Sequence, residues 1–109
     1  MKLNIYEKKK IVKTYEVEGY DVMFGTLTDL AKAINLDSLK TGSDIEIIKM
    51  AGKLFLKSED TFRKLFKDMF DGLTDDELDH TSLREMKEVI VELVRYTISE
   101  LNFGNNGKN

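Results

Sequence analysis

The hydrophobic pattern of this 109-residue chain changes period once, near Phe24, and that change sets the fold class. Before it, Leu3-Asn4-Ile5-Tyr6 and residues 11–24 (IVKTYEVEGYDVMF) are rich in β-branched and aromatic residues. Ile11, Tyr15 and Val17 share one face of an extended strand, with Lys13 between them, while Val12, Thr14, Glu16 and Glu18 share the other. A period of two of this kind predicts a half-buried strand. Residues 7–10 (EKKK) then connect a hairpin over residues 3–18, with the turn type open because Asn-Gly is absent.

From Phe24 onward the period is 3.6. Thr26 precedes Asp29 by three, which predicts a short helix through Leu27, Leu30, Ala31 and Ile34 that ends at Asn35–Ser38. Ser43 and Glu46 form a second capping box, followed by a stripe of Ile45, Ile48, Ala51, Gly52 and Phe55 over residues 44–57. Ser58 caps a third helix, in which Phe62, Leu65, Phe66, Met69 and Phe70 give the cleanest amphipathic pattern in the chain. Gly72 ends it. Thr74 and Glu77 box a short turn over 75–79. Ser82 and Glu85 open a last helix that runs to Leu101, about 30 Å long at 1.5 Å per residue. Its stripe of Leu83, Met86, Ile90, Leu93, Val94, Thr97 and Leu101 is widened by Val89, Val91, Tyr96 and Ile98. A stripe this broad belongs to a helix packed on more than one side, or to one that shows apolar surface to a partner. The expected fold is α+β: a mainly helical single domain over 1–101, with an N-terminal β-hairpin and a long C-terminal helix. Its expected core includes Ile48, Phe55, Phe62, Phe66, Met86, Ile90 and Val94. Residues 102–109 (NFGNNGKN) read as a flexible tail.

Composition removes several kinds of chemistry. There is no Cys and one His, which excludes disulfides, thiol catalysis and Cys- or His-based metal clusters. The first ten residues lack the apolar core of a secretory signal, and no apolar run approaches the ~18 residues of a membrane span, so a cytosolic protein without a membrane is expected. Lys plus Arg is 17 against 20 for Asp plus Glu, a formal charge of −3, which disfavours nucleic acid as a partner. The charge is unevenly spread. Residues 1–13 hold five Lys and one acid, whereas residues 68–79 hold six acids and no base. Two such poles suit solvated surfaces, or pairing with a partner or a second copy of the chain.

No constellation reads as a catalytic centre. The acids around Asp71-Gly72 lack the EF-hand spacing. Gly104-Asn105-Asn106-Gly107-Lys108 is too short for a phosphate loop. His80, between the acidic turn and the last helix, reads as a surface or capping residue. No enzyme, cofactor or metal is expected. Residues alone lead to a small α+β interaction protein.

Four stretches carry a resemblance: KLNIYEKKKIVKTYEVEGYDVMFGT, LKTGSDIEIIKMAGK, MFDGLTDDELDHT and REMKEVIVELVRYTISEL. In this order the chain resembles the tail assembly chaperones of long-tailed, siphovirus-type phages and prophages of Gram-positive bacteria, over residues 1–101. The most specific piece is Phe70-Asp71-Gly72-Leu73-Thr74-Asp75-Asp76-Glu77-Leu78 before a long apolar helix. The resemblance implies a non-enzymatic protein of the host cytoplasm that coats the helical tape measure protein, recruits tail tube protein and is absent from the finished virion. It also implies, for many members, a longer form made by programmed frameshift. Gly107-Lys108-Asn109 can be encoded GGA-AAA-AAC, which contains a slippery A-AAA-AAC. The expected partner contacts are Val91, Tyr96 and Ile98, beside the main stripe of the last helix, with Leu73 and Glu77 in the acidic motif. Self-association is a further expectation. The competing classes are a small phage or host adaptor and a helical DNA-binding regulator.

Overall fold

The computed structural model describes residues 1–35 and 42–101, Leu101 by its backbone alone. Two antiparallel strands, β1 (Lys2–Glu7) and β2 (Lys10–Glu16), form the hairpin. Only Lys8 and Lys9 lie between them, with φ of 51° and 67°. Positive φ at both central residues is what a two-residue hairpin of native twist requires, and here two lysines adopt it where Asn-Gly is usual. The register shifts between Ile5, paired with Lys13, and Tyr6, paired with Ile11. Val12 is therefore the extra residue of a bulge. The bulge moves Ile11 onto the face of Tyr6, so Ile11 does not share a face with Tyr15 as the simple alternation predicts. Ile11 and Val12 are both exposed, and β2 ends at Glu16, well short of Phe24.

A 3-10 turn (Gly19–Asp21) leads into α1 (Phe24–Ala33). This helix starts two residues before Thr26. Thr26 is buried inside it and caps nothing; Met23 is the N-cap, without a side-chain bond. The later helices start where their polar residues predict. Ser43 accepts from the Glu46 N–H at the head of α2 (Asp44–Lys57), and Ser58 accepts from the Thr61 N–H at the head of α3 (Glu59–Met69). Thr74 and Glu77 make a full capping box for α4 (Asp75–Leu78). Ser82 accepts from the Glu85 N–H at the start of α5 (Leu83–Leu101). Gly72, with φ of 90°, makes the turn between α3 and α4 that a side chain would resist. The expected tail 102–109 and the helix end at 36–38 lie outside the described residues.

α5 is the centre of the molecule: β1, the 3-10 turn, α1 and α2 all contact it, while α3 packs on α1 and α2. Val89, Ile90, Leu93, Val94 and Thr97 are buried along it, against Leu3, Ile5, Leu30, Ile47 and the aromatic row of α3. In that row the Phe62 and Phe66 rings lie 5.2 Å apart and Phe66 and Phe70 stack at 6.4 Å. The expected core is right at Phe62, Phe66, Ile90 and Val94. It is not right on α2. Ile47, Ala51 and Leu54 are the buried residues of that helix, whereas Ile45 and Phe55 are exposed and Ile48 is half-buried. Met86 is also half-buried, and Leu83, the first residue of the expected α5 stripe, is 67 % exposed. Helix α2 is apolar on two faces, and the packing uses the one that periodicity did not single out. Among the described residues, no helix is long and apolar enough to cross a membrane.

Candidate functional site

Two concave surfaces flank the N-terminal half of α5. The first lies under the hairpin turn and is lined by Tyr6, Lys8, Lys9, His80, Arg84 and Glu85, with a volume of about 710 Å³. Some of its polar groups already hold the fold together. The Glu85 carboxylate accepts from the Asn4 backbone N–H at 2.9 Å, from Asn4 Nδ2 at 3.2 Å and from the Tyr6 hydroxyl at 2.5 Å. The Tyr6 N–H donates to the His80 carbonyl at 2.8 Å. These bonds satisfy the outer edge of β1, which would otherwise be open to pairing. Burial opposes the charge on Glu85, but the donors of Tyr6 and Asn4 outweigh it and hold the carboxyl below its ordinary range. The same carboxylate raises the Tyr6 phenol. His80 Nδ1 lies 2.7 Å from the Asp76 carbonyl, which raises the imidazole pKa. The Glu85 carboxylate, the Tyr6 phenol and the His80 backbone carbonyl act here as a clamp for the hairpin.

The acidic turn is bound in the same way. Glu77 accepts from the Tyr15 hydroxyl at 2.6 Å and pairs with Lys13 at 3.1 Å. The Tyr15 bond is the main cause that lowers its pKa, with Lys13 adding to it. Arg63 of α3 pairs with Asp75 and Asp79, and Lys67 pairs with Asp75. The acidic pole is thus largely paired within the chain, mostly by α3, whereas Lys13 is the one lysine of the basic pole that pairs among the described residues.

The second surface is a groove between α2 and α5. Its deepest part, about 130 Å³, is lined by Ile48, Gly52, Phe55, Leu83, Met86 and Ile90. It continues along α5 into a shallower stretch bordered by Asp44, Ile48, Glu88 and Val91. Leu83 and Phe55 at its mouth are 67 % and 45 % exposed, and Ile45 and Leu56 extend the apolar surface of α2. The charged side chains along it are Lys87, Glu88 and Glu92 of α5 and Asp44 of α2. Asp44 pairs with Arg95 and Glu92 with the N-terminal amine. Exposed apolar surface rimmed by polar residues is the usual mark of a protein-binding surface.

The five expected contact residues scatter over the molecule. Val91 borders the groove. Ile98 is half-buried against the core, and Leu73 is buried at 5 % exposure, so its side chain belongs to the core rather than to an accessible surface. Glu77 is held by Tyr15 and Lys13. Tyr96 covers Gly19 so closely that a Cβ there would come within 2.7 Å of its ring. The groove residues that sequence reasoning placed in the core instead are Phe55, Ile48 and Met86, while Leu83 was read as part of the main stripe of the last helix. The signal that could have separated them is the doubled apolar face of α2: a helix needs only one to pack.

No protein-family model, curated protein or solved structure matches the chain.

Proposed function

We propose that this protein is a tail assembly chaperone of long-tailed phages or prophages of Gram-positive bacteria, acting in the host cytoplasm. It covers apolar stripes of the helical tape measure protein and recruits tail tube subunits before it is displaced. The observation that supports this reading is the open α2–α5 groove. An amphipathic helix laid in such a groove is held through apolar anchors at helical spacing. Lys87, Asp44, Glu88 and Glu92 give it a charged rim of mixed sign. A small groove gives a weak contact, and many copies on one long client would bind by avidity while each remains easy to displace.

Nucleic acid is the competing occupant of the groove. The apolar floor argues against it, because phosphates would face Leu83, Phe55 and Met86, with Glu88 close by. A duplex DNA titration with strong, salt-sensitive binding would reverse that preference. The main test is co-expression with a long helical tape measure protein and a tail tube protein. The chaperone keeps the former soluble, and Leu83→Asp abolishes the effect while the variant stays folded. If the helical protein is equally soluble without the chain, or if Leu83→Asp retains full effect, the reading fails.

A further inference from the structure

The pocket under the hairpin turn holds a second set of polar groups, which the clamp does not use. Lys8, Lys9 and Arg84 line it together with His80, against one acid, Glu85. The Glu85 carboxylate is already bound by Asn4 and Tyr6. Among the described residues, neither the two lysines nor Arg84 makes an ion pair. The pocket is therefore a positive concavity on a chain of net charge −3. Thr81 and Ser82 bring the start of α5 into the same wall, and the helix dipole adds to the positive potential there.

The turn itself carries a second sign. Lys8 and Lys9 both hold a left-handed φ, of 51° and 67°. A two-residue hairpin loop of this kind favours Asn-Gly, because the conformation is strained for lysine. Two lysines thus stand at the pocket at a cost to the turn, and no ion pair among the described residues uses their charge.

Size and surroundings narrow the occupant. The volume of about 710 Å³ is roughly twenty times the ~30 Å³ share of one water, so a lone ion leaves most of it unfilled. Duplex DNA carries one charge per ~1.7 Å of axis and needs a continuous basic track. Here Glu7, Asp76 and Asp79 lie close enough to His80 to act on its charge, so the positive surface ends at the edge of the pocket. A short acidic peptide segment meets the bases without running onto those acids.

We propose that this pocket binds an acidic segment of a partner protein, with Lys8, Lys9 and Arg84 holding its carboxylates. A guanidinium takes a carboxylate through two parallel N–H bonds, and the lysines act as point charges beside it. The pocket shares no residue with the α2–α5 groove, so it is a second contact surface and stands or falls separately from the reading of the groove.

Amide NMR of the full chain, titrated with hexaglutamate, tests this. Shifts concentrate at residues 6–9 and 80–85, and they shrink at high salt. Lys8→Asn with Lys9→Gly installs the favoured turn. That variant is at least as stable as wild type in urea, yet binds hexaglutamate about tenfold more weakly. Arg84→Gln leaves the hairpin intact and also weakens binding; it replaces the turn variant should circular dichroism show that one misfolded. Lys53→Gln with Lys57→Gln removes the same charge from α2, outside the pocket, and binds as wild type does. Shifts spread over all lysines overturn the proposal. So does a turn variant or Arg84→Gln that binds like wild type, or an α2 pair that loses as much as the turn variant. Tighter binding of inorganic phosphate or duplex DNA at the same amides overturns it too, in favour of an ion site or a nucleic-acid site.

Discussion

The hairpin side of α5 and the α2 side differ in what their polar and apolar groups are doing. On the hairpin side Glu85 is bound to Asn4 and Tyr6, Glu77 to Tyr15 and Lys13, and His80 to the Asp76 carbonyl. On the α2 side the large apolar side chains of Ile45, Phe55, Leu56 and Leu83 stand exposed, beyond the cover of the core. The first arrangement closes a fold. The second leaves interaction capacity unused, and a surface that keeps it is one that a partner completes. Stability and client binding are therefore carried by opposite sides of the same helix, and substitutions separate them.

The largest effect falls under both surfaces, at Phe66, which is fully buried between Phe62 and Phe70. Phe66→Ala lowers unfolding free energy by about 3–5 kcal/mol in urea titration. A loss below about 1 kcal/mol would mean that the aromatic row is not the shared core. Next is the clamp. Glu85→Ala removes the acceptor for two Asn4 bonds and one Tyr6 bond, at a cost of about 2 kcal/mol. Hydrogen exchange at the Asn4 amide speeds up in the variant. Its pH dependence has a definite sign. The carboxyls of Glu85 and Glu77 are lowered from 4.5 in the folded chain. Their contribution is complete above the unfolded value and is lost as pH falls through the lower folded values. A urea series through that acid range shows wild type losing stability faster than Glu85→Gln. Parallel curves would mean that the clamp carries none of the acid sensitivity.

A smaller effect is expected at Gly19, where a Cβ would come within 2.7 Å of the Tyr96 ring. Gly19→Ala costs about 1–2 kcal/mol, and Tyr96→Leu in the same chain recovers part of it by clearing the ring. Full additivity of the two changes would sink the idea that they are in contact. The smallest effect is at the groove mouth. Leu83→Ala changes stability by no more than about 0.5 kcal/mol, because its side chain is already mostly in water. The same substitution weakens client binding. A stability loss as large as that of Phe66→Ala would place Leu83 in the core and erase the contrast between the two sides of α5.

Local signals were legible in the sequence wherever the physics is local. Ser43, Ser58, Thr74 and Ser82 each accept a bond from an N–H three residues on, and that geometry needs nothing beyond one helical turn. The α3 row of Phe62, Leu65, Phe66, Met69 and Phe70 was legible because only one of its faces is apolar. Val12 gave no sign of its bulge, since β-branched residues fit a regular strand as well as an irregular one. Thr26 resembles a cap but is buried, because burial inside α1 competes with capping and wins there. The candidate site was the least legible part. Its residues are apolar, and apolar residues look the same in sequence whether they are covered or exposed.

By itself, then, the sequence determined the element types, the starts of α2 to α5, the hairpin, and the length of the C-terminal helix, since caps and periodicity act over one to five turns. Only the tertiary structure decided which face of α2 is buried. Ile47, Ala51 and Leu54 and the alternative Ile45, Ile48 and Phe55 both satisfy a 3.6-residue period. The choice is made by how α2 folds back on α3 and by contacts with α5, which is distant in sequence. That choice leaves the second face uncovered, and with it the groove.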